Sequence, residues 1–235
     1  MSRFANALDG WQGVEGLPSA FAAARDAVDA MLRDRGLRRT GPDVAAAALA
    51  RGAEASAHLE SAVAGDGGQV AQAALRLNAE LLALVPVVGR SPAQALARMH
   101  ALTGLGEPET LGRPRLDGRV ADAVQEFGRD LIDSSGSPAL VVGALAHAEV
   151  AALAPFATAN GLVARALERL ILVARGVDPA SSLVPEAGYL ARRDGYLRAL
   201  DAYAAGGTSG AAHWLSFAAD AAIAATDASP LAQQP

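Results

Sequence analysis

The sequence contains no cysteine and no lysine. Without cysteine there can be no disulfide, no thiolate nucleophile and no zinc–thiolate cluster, which suits a reducing compartment, and the cytoplasm is the expected location. Without lysine there is no Schiff-base amine and no phosphate-loop lysine. All 20 basic residues are arginine, a bias read here as that of a GC-rich, bacterial genome. Aromatics make up only 4%, so the core is expected to consist of closely packed helices with small side chains rather than a strand-built sandwich. A net charge of −5 argues against nucleic acid as a partner. Pro, Gly, Asn or charge interrupts every apolar run, so no membrane span is expected, and the N-terminus lacks the pattern of a signal peptide.

What is present is helix punctuation on a chain that is 51% hydrophobic. Pro near the start and Gly at the end bracket a helix in "LPSAFAAARDAVDAMLRDRG", with Phe21, Ala24, Val28, Met31 and Leu32 on one face. The arginines from Arg33 to Arg39 read as complements to that helix's C-terminus rather than as a binding patch. A second helix follows Pro42, a third stops before Pro86, and a fourth runs from Pro92 to Gly104 with Ser91 as cap. The segment 105–117 reads as a loop or rudimentary hairpin. Helices resume after the caps Asp117 and Ser137, and again after Asn160, Pro185 and Ser209. The expectation is an all-α single domain over 1–228, with a disordered tail at 229–235.

The stretch "ALAPFATANGLVAR", residues 152–165, combines a helix-ending Pro155, the turn signal Asn160-Gly161 and a new helix. A helix N-terminus behind such a turn offers backbone N–H groups to an anion. The pattern resembles the signature of the Fic (Fido) family, H-P-F-x-[DE]-G-N-G-R-x-x-R, whose members mostly transfer AMP from ATP to protein hydroxyls. Pro155, Phe156, Asn160, Gly161 and Arg165 match. The family's catalytic His falls on Ala154, its metal-binding acid on Thr158, its first loop Gly on Ala159 and its first Arg on Leu162. "HAEVAALAPF", "PEAGYLARRDGYLRAL" and "HWLSFAADA" are similar to the flanking helices, with Tyr189, Tyr196 and Trp214 in matching order. Upstream, "SAHLES" resembles the family's inhibitory motif, [ST]-x-x-x-E-[GN], through Ser56 and Glu60, with Ser61 in the last place.

The resemblance implies an all-α Fic-like domain with an inhibitory-type helix at about 42–64, a core at about 92–225 and a vestigial or absent β-hairpin flap. It also implies an ion pair between Glu60 and Arg165, because in the family that Glu blocks ATP by pairing with the motif's last Arg. The substitutions imply lost chemistry. Ala154 has no proton acceptor, a role contributing roughly 10²–10⁴ in rate. Thr158 offers a hard cation only a neutral hydroxyl, and Leu162 places an apolar group where positive charge would face phosphate. No metal and no cofactor are expected. His147 lies about 10 Å along its helix from Ala154 at ~1.5 Å per residue, His58 falls on nearly the opposite helix side from Glu60, and His100 and His213 show no partner. The expected function is an interaction or regulatory scaffold without AMP transfer, with an unidentified protein partner or a second copy of the chain. The alternative is a Fic enzyme of altered transferase chemistry that binds a nucleotide or phosphate ligand, with ATP and Mg²⁺ entering only there.

Overall fold

The computed structural model describes residues 2–35, 42–64 and 67–232. Of the Arg33–Arg39 cluster only Arg33 has a described side chain, and it is exposed; Gly36 and the side chain of Ser61 also lie outside the described residues. The described residues hold helices and no strand, an all-α architecture, and the segment 104–117 is a string of turns where a hairpin would lie.

The chain begins with α1 (Arg3–Gly10) and a 3₁₀ turn at Trp11–Gly13. The sequence reading passed over α1 because it is a short helix. Its signal is Ser2, whose hydroxyl accepts the Ala5 N–H at 3.1 Å, and its anchor is Phe4, set edge-on to Phe127 at 5.3 Å. Next come α2 (Leu17–Arg35), α3 (Pro42–Ala64) and α4 (Gly67–Glu80). Pro86 does not end the last of these as expected. A 3₁₀ turn at Leu81–Leu84 leads into α5 (Val85–Val88), where Pro86 sits in the first turn and needs no N–H partner. The segment Gly67–Val88 therefore reaches the length and hydropathy of a membrane span, which the sequence reading had excluded. In this fold Val70, Ala73, Leu77, Leu81 and Val88 lie in the protein core.

Then follow α6 (Pro92–Thr103), α7 (Gly118–Asp133), α8 (Ala139–Leu153), α9 (Asn160–Ala174), α10 (Pro185–Ala191), α11 (Arg193–Ala205) and α12 (Gly207–Asp227). Gly104 ends α6 at φ 60° and Asp117 caps α7 by accepting the Arg119 N–H at 3.0 Å. Ser137 is not the cap of α8, which starts behind Pro138. The single helix expected after Pro185 is two, broken at Arg192 (φ −116°, ψ 26°). Nor is the tail free from residue 229: Ser229 and Leu231 are buried, and the Ser229 hydroxyl donates to the Ser182 carbonyl at 2.8 Å.

α8 and α9 pack on each other at the centre of the molecule, surrounded by α3, α6, α7, α11 and α12. Every residue of α8 from Leu140 to Val150 is buried, all apolar or glycine except His147 and Glu149. α9 is equally enclosed but carries Arg165, Glu168 and Arg169 at 2%, 5% and 1% exposure. Buried charge persists only where it is paired and hydrogen-bonded, so the partners of these three organise the interior.

Candidate functional site

The loop 154–159 joins α8 to α9. α8 ends through Ala154 at φ 42° and α9 is entered through Ala159 at φ 57°, both in the left-handed region. That conformation disfavours an alanine by roughly 1–2 kcal/mol, so the surrounding bonds must impose it. Asn160 supplies two of them: its Oδ1 accepts the Phe156 N–H at 2.9 Å and its Nδ2 donates to the Phe156 carbonyl at 2.8 Å. Phe156 is buried and lies flat on His100, ring centroids 4.1 Å apart and planes within 2°.

His100 has partners, contrary to the sequence reading. Its Nδ1 accepts the Gly112 N–H at 3.0 Å, which places the ring proton on Nε2, 3.3 Å from the Thr158 hydroxyl. Thr158 in turn donates to the Leu105 carbonyl at 2.6 Å. Burial lowers the His100 pKa from its ordinary value, in keeping with a ring whose second nitrogen already faces a donor. The Thr158 hydroxyl is thus committed to the protein.

Arg115 closes the same loop from outside. Its N–H donates to the Pro155 carbonyl at 2.8 Å, and its guanidinium donates to the Ala154 and Leu153 carbonyls at 2.9 and 3.2 Å. These are the free carbonyls expected at a helix C-terminus, where a cation is favoured. Leu162 points no group at the loop; it is 1% exposed and belongs to the core.

The second half of the site is the start of α9 under α3. The Arg165 guanidinium donates to the Ser56 hydroxyl at 2.7 Å, the Ser56 carbonyl at 3.2 Å, Glu60 Oε2 at 2.8 Å and the Tyr196 hydroxyl at 3.0 Å. The Glu60 carboxylate also lies against Gly161. A Cβ placed on Gly161 would collide with Glu60 Oε2 and stand 3.1 Å from Arg165 Nη1. An anion from the protein itself therefore occupies the mouth of α9, where a helix N-terminus favours negative charge. His58 points away from this cluster and is exposed.

Beyond Arg165 the polar contacts continue inward. Tyr196 Oη is 2.8 Å from His147 Nε2, His147 Nδ1 is 2.8 Å from Glu168 Oε2, and Tyr189 donates to Glu168 Oε1 at 2.9 Å. The directions are mutually consistent: Arg165 donates to Tyr196, Tyr196 to His147, and the His147 Nδ1–H to Glu168. Burial outweighs the carboxylate and lowers the His147 pKa, leaving a neutral ring; burial likewise raises that of Tyr196. One turn on, Arg169 pairs with both oxygens of Glu186 at 2.9 and 2.5 Å and donates to the Leu183 carbonyl at 2.8 Å. Sequence reasoning missed this seam and the roles of His100 and Arg115. Its signal was a His and a Glu-Arg pair inside the otherwise apolar runs of α8 and α9.

The structure thus brings Phe156, Thr158 and Asn160 into one closed loop, and Ser56, Glu60, Gly161 and Arg165 into a cluster beside it. Ala154 offers only its backbone. Among the described residues no three His, Asp or Glu side chains are grouped to hold a metal ion.

Two solved structures share this architecture. A Fic family protein from Desulfovibrio desulfuricans G20 superposes with a TM-score of 0.73 at 18% identity, covering 92% of this chain and 74% of its own. Fic-1 from C. elegans gives a TM-score of 0.59 at 17% identity, covering 90% of this chain and 72% of its own. The chain has the Fic fold, all-α throughout the described residues. No protein-family model matches the sequence, and no curated protein matches it significantly.

Proposed function

We propose that this Fic-fold protein transfers no AMP and acts as a non-catalytic interaction or regulatory scaffold. One observation carries the reading: the Glu60 carboxylate, held by Arg165 at 2.8 Å, covers Gly161 where a nucleotide's phosphates would meet the start of α9. The chemistry around it agrees. Ala154 provides no base, the Thr158 hydroxyl is spent on Leu105, and the buried Leu162 stands where the motif's first arginine would be. With the proton acceptor, the metal ligand and one phosphate-facing charge absent together, positioning alone would remain.

The test is incubation of the wild type and of Glu60→Gly with radiolabelled ATP, Mg²⁺ and a mixture of candidate target proteins, beside calorimetric titration of ATP with and without Mg²⁺. The scaffold reading expects no labelled protein from either variant and no heat from the wild type. Robust labelling by either one overturns it. A second reading, a nucleotide-binding site under internal control, is favoured by the 15% exposure of the Glu60 side chain, which leaves the carboxylate within reach of solvent. ATP binding that appears only in Glu60→Gly would support that reading. The partner of a scaffold would be another protein or a second copy of this chain, and light scattering of the purified protein separates the two.

A further inference from the structure

A mostly apolar cleft lies apart from the loop 154–159 and the start of α9. This cleft of about 520 Å³ lies between α1, the Trp11–Gly13 turn and the joint of α11 with α12, lined by Arg3, Trp11, Leu17, Tyr203, Gly207 and Leu215 among others. Its volume falls within the ~300–1,000 Å³ of small-molecule sites. The side chains divide by character. Trp11, Leu17 and Leu215 form an apolar wall, and none of the lining residues is Asp or Glu.

The cationic side is built by two elements. The Arg3 guanidinium lies 5.5 Å above the Tyr203 ring, and its Nη1 is buried with no hydrogen-bond partner. A buried donor left unsatisfied is unfavourable and rare in folded proteins. Tyr203 meets the guanidinium with its ring face, while its hydroxyl donates to the buried Glu149 at 2.7 Å. α12 starts behind Gly206 with no side-chain cap, and Gly206, Gly207 and Thr208 also line the opening. The free first-turn N–H groups of a 21-residue helix favour negative charge at the same place.

We propose that this cleft binds a small organic anion with a flat apolar body, its charged group meeting Arg3 and the start of α12 and its body lying against Trp11 and Leu215. The inference is independent of what occurs at Glu60 and Arg165, since the two sites share no residue.

The probe is 1-anilinonaphthalene-8-sulfonate, compared with N-phenyl-1-naphthylamine, which has the same rings and no charge. Both are titrated by fluorescence into the folded protein and its variants, with circular dichroism and a melting curve for each. Saturable one-to-one binding of both probes is expected. Arg3→Gln should weaken the sulfonate by about tenfold or more, the worth of one charge-assisted hydrogen bond, and leave the neutral probe within about twofold. Thr208→Asp places a carboxylate at the exposed start of α12, where it suits the helix itself, and should weaken the sulfonate alone even if the Arg3 variant misfolds. Ala212→Phe fills the cleft and should abolish both. The absence of saturable binding, equal loss of both probes on either charge variant, or full binding by Ala212→Phe would each overturn the proposal.

Discussion

Replacing Gly161 with alanine tests whether the Glu60 carboxylate lies over the start of α9. Gly161 has no positive φ, so its backbone accepts alanine and its only difficulty is space. The added Cβ would collide with Glu60 Oε2 and come within 3.1 Å of Arg165 Nη1. Glu60 is the group able to yield, because its side chain is 15% exposed while that of Arg165 is 3% exposed and held by Ser56 and Tyr196. Displacing it removes a charge-assisted hydrogen bond worth roughly 1.5–3 kcal/mol. Losing a glycine inside a helix returns about 0.5–1 kcal/mol. Gly161→Ala should therefore destabilise by about 1–2 kcal/mol, read from urea unfolding at constant slope. In a Glu60→Ala background the collision is gone and only the tight approach to Arg165 Nη1 remains, so the same substitution should cost at least about 1 kcal/mol less than in the wild type. That coupling in a double-mutant cycle is the diagnostic result. If Gly161→Ala is neutral or stabilising in the wild type, the carboxylate does not lie where the structure places it.

Ala159→Gly should raise the melting temperature by about 1–4 °C, since it relieves the left-handed conformation at φ 57° less the entropy of glycine; an unchanged or lower value would place Ala159 in another conformation. Glu186→Gln removes the countercharge of Arg169, whose side chain is 1% exposed, and should destabilise by about 3 kcal/mol or more in urea, with little change on adding salt because the pair is buried. A loss below about 1 kcal/mol would mean that the carbonyl and hydroxyl acceptors suffice. The pKa values of His100 and His147 are lowered foremost by burial, so the unfolded chain binds protons first. Their stability is fully present above the ordinary value of about 6.5 and is lost as pH falls through their lowered folded values. His100→Gln should flatten the fall in urea midpoint below about pH 6.5; a wild-type midpoint level from pH 7 to 5 would contradict the neutral-ring assignment of both.

Local punctuation was legible where a single residue acts on its own backbone. Gly104 adopts the positive φ that ends α6, and Asp117 caps α7 through its own carboxylate. It failed where the deciding force is tertiary. Pro86 reads as a stop, yet it starts α5 because Leu84 and Val88 on either side are buried in the same core. Ser229 and Leu231 read as a frayed polar end, but the pocket they fill is made by the distant Ser182 segment. The site divides in the same way. The family-like residues Ser56, Glu60, Asn160, Gly161 and Arg165 could be picked out by order and spacing. His100 could not, because its partners Gly112 and Thr158 are 12 and 58 positions away.

The structure extends what Arg165 means. Read from the sequence, it is the last arginine of the motif and the expected ion-pair partner of Glu60. In the fold its guanidinium is 2% exposed and donates to Ser56, Glu60 and Tyr196, and Tyr196 carries the chain of donors on to His147 and Glu168. Removing Arg165 would strip Glu60 of its countercharge and leave the buried Tyr196 oxygen short of a donor, a penalty of several kcal/mol with no ligand involved. Ala154, Thr158 and Leu162 stand under a different constraint. Ala154 and Thr158 stand at the loop and Leu162 in the core, where backbone, hydroxyl and apolar contacts accommodate them. A fold built this way holds the arginine through its own core contacts, whatever stands at the loop positions. Thus Arg165 is evidence for the integrity of the helical core, and evidence for nucleotide binding only if Glu60→Gly uncovers it.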